Sequence, residues 1–150
     1  LGYRGRSVTS RLIQIQTRSE YSHIGVMLSS GAVIEAWQGT GVRQIPFPLH
    51  GHSKRTRIDV FDVTPDYRED LVELFLRSQI GKRYDYSSVL RFITRRDALD
   101  NDKIFCSELA ELAFQSGGLK LLRGNPSHHS PRDTVLSPYL KFEETLNEPV

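Results

Sequence analysis

Two short apolar runs, residues 21–28 and 32–37, stand on either side of Ser29-Ser30-Gly31. Both are rich in β-branched and aromatic residues, and a short Gly-containing break between such runs predicts a β-hairpin. A three-residue loop favours glycine in its left-handed last position, and Gly31 fits it. That loop pairs Leu28 with Ala32, Gly25 with Glu35 and His23 with Trp37. Side chains alternate across a strand, so His23, Gly25, Glu35 and Trp37 share one face. Ile24, Val26, Leu28, Ala32, Ile34 and Ala36 share the other, which reads as the core side. A two-residue turn would shift the register and send Glu35 into the core.

The hairpin therefore sets an imidazole beside a carboxylate. His23 and Glu35 are diagonal neighbours, with backbone positions about 7–8 Å apart and side chains nearer. Glu35 can accept the imidazole N–H, and Gly25 between them leaves room for an approach to the sheet. Cys106, the sole cysteine, opens a second pattern, Phe105-Cys106-Ser107-Glu108-Leu109, at the head of an amphipathic helix. A helix N-terminus favours negative charge and so a thiolate. A thiol nucleophile needs a base, and the base needs a group that fixes its tautomer. Cys106, His23 and Glu35 fill those roles as candidates. Tyr21, Trp37 and Ser107 are candidates for oxyanion or substrate contacts, Tyr21 because alternation puts it on the His23 face.

The remaining pattern is mixed. Residues 7–17 predict a short helix with Val8, Leu12, Ile13 and Ile15 mostly on one side. Residues 42–47 and 57–63 predict strands, with Gly39-Thr40-Gly41 as a turn and residues 50–57 as a polar loop. Thr64-Pro65 predicts a helix start, with Leu71, Leu74, Phe75 and Ser78 facing inward and Gly81 as the stop. Residues 85–93 predict a helix, 95–103 a charged loop, and 106–115 a helix burying Leu109, Leu112 and Ala113, ended by Gly117-Gly118. Ser130-Pro131-Arg132-Asp133 reads as a cap and first turn, and 139–146 as a last strand. A helix, a run of antiparallel strands and then helices predict an α+β domain.

The 150 residues suit one domain, 1–150, with 38% hydrophobic and 25% charged residues. No apolar run reaches the length of a membrane span, so no stable membrane insertion is expected. The net charge is +2, with basic residues in scattered pairs, and nucleic-acid binding is not expected. One cysteine allows no internal disulfide and leaves the compartment undetermined. No signal-peptide pattern is visible, and the sequence starts at Leu1 rather than Met, which leaves secretion open. His50-Gly51-His52 and His128-His129 lack partners at a diagnostic spacing, so solvated loops are the expectation and no metal ligand is assigned. Tyr84-Asp85-Tyr86 reads as capping and packing.

The ordered motifs Tyr21-Ser22-His23-Ile24-Gly25-Val26, Val33-Ile34-Glu35-Ala36, Gly41-Val42, Gly81-Lys82-Arg83-Tyr84-Asp85 and Phe105-Cys106-Ser107-Glu108-Leu109 resemble the circularly permuted papain-like hydrolases. These are YiiX/YebB-like relatives of the NlpC-type cell-wall cysteine peptidases and of the lecithin retinol acyltransferases. The resemblance runs from about Arg4 to Leu140 and includes Ser130-Pro131-Arg132-Asp133. Its hallmark is His before Cys. It implies a permuted papain-like fold, a small antiparallel sheet or barrel packed on the Cys helix. It implies Cys106 as nucleophile, His23 as base, Glu35 as the orienting residue, and no cofactor. It also implies cleavage or transfer at an amide or ester carbonyl through an acyl-enzyme. The oxyanion would sit on the Cys106 N–H. Two departures stand out: Phe105 replaces a Tyr common before the Cys, and the first strand, expected before Arg6, is cut short at Leu1.

Three functions follow as expectations. One is a cysteine peptidase or amidase acting on a cell-wall peptide. The second is the same machinery acting on a fatty-acyl ester or amide. The third is an inactive binding domain. The partner is accordingly a peptide or acyl substrate, with oligomeric state open. A polar groove near Trp37 and Phe47 would favour the peptide; an apolar one would favour the lipid.

Overall fold

The structure, a computed structural model, describes residues 1–86 and 102–146. The predicted hairpin forms as β2 (His23–Met27) and β3 (Val33–Trp37), with Gly25 opposite Glu35 and Val26 opposite Ile34. Leu28 N–H donates to Ala32 O at 2.8 Å, and Gly31 takes φ 82°, the left-handed value that the loop demands. β4 (Gly41–Ile45) continues the sheet beyond β3, starting one residue earlier and ending two residues earlier than expected. On the other side lies β1 (Gly2–Arg4), then β5 (Arg57–Val63), then β8 (Leu140–Leu146). The order β4-β3-β2-β1-β5-β8 makes one six-stranded sheet with antiparallel neighbours. β6 (Arg83–Tyr84) and β7 (Lys103–Ile104) form a small parallel pair.

Four α-helices complete the described residues: α1 (Val8–Thr17), α2 (Glu69–Gln79), α3 (Cys106–Ser116) and α4 (Pro131–Val135), with a 3-10 turn at Pro126–His128. The architecture is α+β. α3 lies on the sheet face of Ile24, Val26, Ile34 and Ala36, where Leu109, Ala110 and Ala113 bury against it. Ser130 caps α4 through its side chain, as its Ser-Pro-x-Asp pattern predicts.

Two helices depart from their pattern. In α1 only Ile13 is buried; Val8, Leu12 and Ile15 are 78%, 49% and 73% exposed. α2 begins at Glu69 rather than at Thr64-Pro65, and Arg68 provides no side-chain cap. Its buried residues are Val72 and Leu76, whereas Leu74 is 66% exposed. The inward stripe is turned by about one residue toward Val72 and Leu76, because Gly117, just past the neighbouring helix, packs against Val72 and sets which side is covered. The expected helix 85–93 and loop 95–103 fall mostly outside the described residues.

The second face of the hairpin is covered as well. Tyr3 of β1 pairs with His23, and its ring packs over Gly25, where a Cβ would lie 3.2 Å from Tyr3 Cε2. The space left by Gly25 is thus filled by Tyr3 rather than open to an incoming group. The loop 46–56 closes over the same face and brings His52 down onto it.

Candidate functional site

Glu35 is fully buried and hydrogen bonded through both carboxylate oxygens. His23 Nε2 donates to Oε2 at 2.7 Å, and His52 Nε2 donates to the same oxygen at 3.0 Å. Arg43 Nε and Nη2 donate to Oε1 at 3.0 and 2.8 Å. Arg43 arrives there because β4 pairs it directly with Glu35. The rings around the carboxylate are locked by packing. Tyr3 stacks on His52 at 4.3 Å and 13°, and Trp37 meets the edges of His23 at 5.4 Å and His52 at 4.5 Å. The Arg43 guanidinium lies 4.4 Å over the Trp37 ring.

The charge state follows from these contacts. Burial pushes the Glu35 carboxyl up, but His23 and His52 outweigh it and hold it well below the usual carboxylate range. Burial pushes His23 down, and the pull of Glu35 does not offset it. The pair is therefore a carboxylate facing a neutral imidazole, with Arg43 supplying the cation. A carboxylate only accepts, so His23 carries its proton on Nε2 and keeps a lone pair on Nδ1.

Cys106 opens α3 behind Phe105, whose backbone is extended (φ −93°, ψ 159°). Cys106 is 1% exposed and belongs to the core on the Ile24 face of the sheet. Burial pushes the thiol up to about 12, although the backbone N–H groups of Ile24, Ser107 and Cys106 itself favour the thiolate. The Ile24 amide follows His23 directly in the chain, so the sulfur meets β2 at the residue next to the imidazole. Among the described residues no hydrogen bond joins the sulfur to His23.

The other candidates divide. Trp37 lies in the cluster. Tyr21 does not: its hydroxyl donates to Asp59 Oδ2 at 2.7 Å and accepts from Arg4 at 3.2 Å. β2 begins only at His23, so strand alternation does not extend back to Tyr21. Ser107 is buried and donates to His129 O at 2.6 Å, a tie between segments. His52, expected in a solvated loop, has a side chain only 3% exposed and belongs to the cluster. Arg43 was legible in part, since a turn at Gly39-Thr40-Gly41 sets it opposite Glu35; no local pattern marks His52.

His23, Glu35 and His52 each bring one ligand atom to a point, all within 4.8 Å of one another. Two imidazoles and a carboxylate suit a divalent transition metal. A polar cavity of about 300 Å³ reaches this cluster, lined by Ser7, Ser10, Ser22, Gln38 and the rings of Trp37 and His52. A second cavity, about 170 Å³, lies on the α3 face among Ile24, Val26, Phe61, Phe114 and Leu121.

No family model and no curated protein matches the chain. Among solved structures it is similar to the crystal structure of metalloprotein YiiX from Escherichia coli O157:H7 (DUF1105). The TM-score is 0.71 and the identity 20%, over 95% of each chain. The chain has a YiiX-like fold. At that identity the likeness extends to the fold alone.

Proposed function

We propose that the chain is a cysteine hydrolase of the permuted papain-like kind, cleaving an amide bond. His23 Nδ1 takes the Cys106 proton, and the sulfur attacks the carbonyl carbon. The oxyanion forms at the helix N-terminus, where the Cys106 N–H donates to it. The amine leaves with the proton from His23, and a water that gives its proton back to His23 hydrolyses the thioester. Glu35 keeps the imidazole in the Nε2–H tautomer throughout. A positioned base of this kind contributes about 10²–10⁴-fold.

The observation that carries the reading is the buried 2.7 Å Glu35–His23 bond, on the strand whose next amide meets the sulfur. In the resting form the thiol is neutral and lies on the core face of β2, opposite the face that carries His23, so the reading requires substrate to drive a rearrangement that brings Sγ and Nδ1 to one side. The cavity beside Trp37, lined by serines, threonines and Gln38, favours a peptide, of the kind found in bacterial cell walls. The cavity behind Ile24, lined mostly by aliphatic and aromatic residues, favours the acyl-lipid alternative.

The test is incubation of wild type and Cys106→Ala with purified cell wall and with a panel of acyl lipids. The hydrolase reading expects turnover of one class, loss of turnover in the variant, and an acyl adduct on Cys106 by intact mass. Turnover unchanged in Cys106→Ala, or none of either class by wild type, goes against it.

A further inference from the structure

We infer that His23, Glu35 and His52 form a binding site for a divalent transition ion of the zinc class. Two imidazole nitrogens and one carboxylate oxygen are a donor set that zinc takes, with metal–ligand distances near 2.0–2.2 Å. Tetrahedral ligands at such distances stand about 3.3 Å apart. The present spacings to Glu35 Oε2 are 2.7 Å from His23 and 3.0 Å from His52. An ion entering between them replaces two N–H···O bonds, and the three ligand atoms, all within 4.8 Å of one another, close around it.

The surroundings prepare the same arrangement. Arg43 holds Oε1 and leaves Oε2 to serve as a one-oxygen ligand. Groups that orient a ligand in this way ordinarily accompany metal sites. The Tyr3 stack fixes His52, which reaches the site from a loop rather than from the sheet. The polar cavity lined by His23, His52, Tyr3 and Trp37 gives an ion a route in. Three protein ligands leave a fourth position, and a water or a small anion from that cavity fills it.

One consequence rests on the hydrolase reading; the site itself does not. An ion on His23 Nε2 takes the lone pair that holds the proton there, and the neutral ring then carries its proton on Nδ1. That nitrogen can no longer accept from Cys106. Zinc occupancy and thiol hydrolysis thus exclude each other, and zinc inhibits any turnover in a way that a chelator reverses.

The experiment uses the untagged chain dialysed against EDTA. Zinc is titrated in competition with a chromophoric chelator, and cobalt(II) is followed by its visible ligand-field bands. Wild type is expected to bind one equivalent, and Cys106→Ser to bind it equally, which rules out a thiolate ligand. His52→Asn is expected to lose affinity by roughly a hundredfold, since changing even a group that only supports a ligand costs about 10–100-fold. Zinc is also expected to raise the melting temperature of wild type and not of His52→Asn. Should that variant not fold, the imidazole proton resonances of wild type decide: those of both His23 and His52 shift on adding zinc. No saturable binding, binding lost in Cys106→Ser, equal binding in folded His52→Asn, or unshifted His23 and His52 resonances overturns the site. None of these readouts depends on turnover, so failure of the hydrolase reading leaves them standing.

Discussion

Glu35 and Glu111 are both buried and each faces an imidazole, Glu35 with His23 at 2.7 Å and Glu111 with His129 Nδ1 at 2.6 Å. Their carboxyls shift in opposite directions. Burial pushes Glu111 up, and His129 with the Thr134 hydroxyl at 3.0 Å does not bring it back. Burial pushes Glu35 up too, yet two imidazoles overcome it, and Arg43 adds two further bonds. A buried carboxylate keeps its charge where several donors and a cation converge, and loses that advantage with one ring and one hydroxyl. The difference separates a charged site from a latch. Glu111 and Ser107 tie α3 to the segment around His129 and Thr134. Glu35 organises histidines that face a polar cavity.

Neutral isosteres test this contrast most strongly. Glu35→Gln removes the charge opposite Arg43, whose side chain is 21% exposed, and is expected to cost about 2–4 kcal/mol in urea unfolding, somewhat below a wholly buried broken pair. Glu111→Gln leaves an amide that still pairs with His129 and Thr134 and strands no arginine, and is expected to cost less, about 1 kcal/mol. Equal costs would break the comparison.

The pH dependence sharpens it. His23 and Glu35 both titrate lower in the folded chain, so the unfolded chain binds more protons and acid destabilises. Stability from His23 is present above its ordinary value of 6.5 and falls as the pH drops below it, with Glu35 adding to the loss below 4.5. Glu111 titrates higher in the folded chain, so its contribution is present below 4.5 and is lost as the pH rises. Urea midpoints should therefore fall on the acid side. Glu35→Gln should remove the part of the loss below 4.5 that Glu35 contributes while deepening the part below 6.5, because His23 loses the carboxylate that favours its charged form. An acid limb unchanged by Glu35→Gln would contradict the assigned charge state.

Ser107→Ala is expected to have the smallest effect, about 0.5–1 kcal/mol from the lost bond to His129 O, with turnover retained. Loss of turnover in a stable Ser107→Ala protein would return Ser107 to the substrate.

The hairpin was legible because one turn residue fixes register and register fixes parity; Gly31 alone brings His23 and Glu35 to one face. Parity says which side chains share a face, but not what covers them. Tyr3 and His52 reach that face from β1 and a distant loop, and no local pattern in either segment announces it. The helices misled for a related reason. Val8, Leu12 and Ile15 make an apolar stripe that the described fold leaves exposed, and the inward side of α2 is set by its neighbour α3. Cys106 at a helix start was legible from its flanks; its depth was not, since burial depends on how α3 seats on β2.

The central claim is that His23 serves as the base for Cys106. Because the resting thiol is covered, its most direct test is the rate at which Cys106 is acylated by the substrate that wild type turns over, with chelator present, in wild type and in His23→Gln. The account predicts that the variant loses at least tenfold in rate, together with the pH limb set by His23, on the scale of roughly 10²–10⁴-fold for a positioned base. Equal rates and identical pH profiles in the two proteins would contradict it.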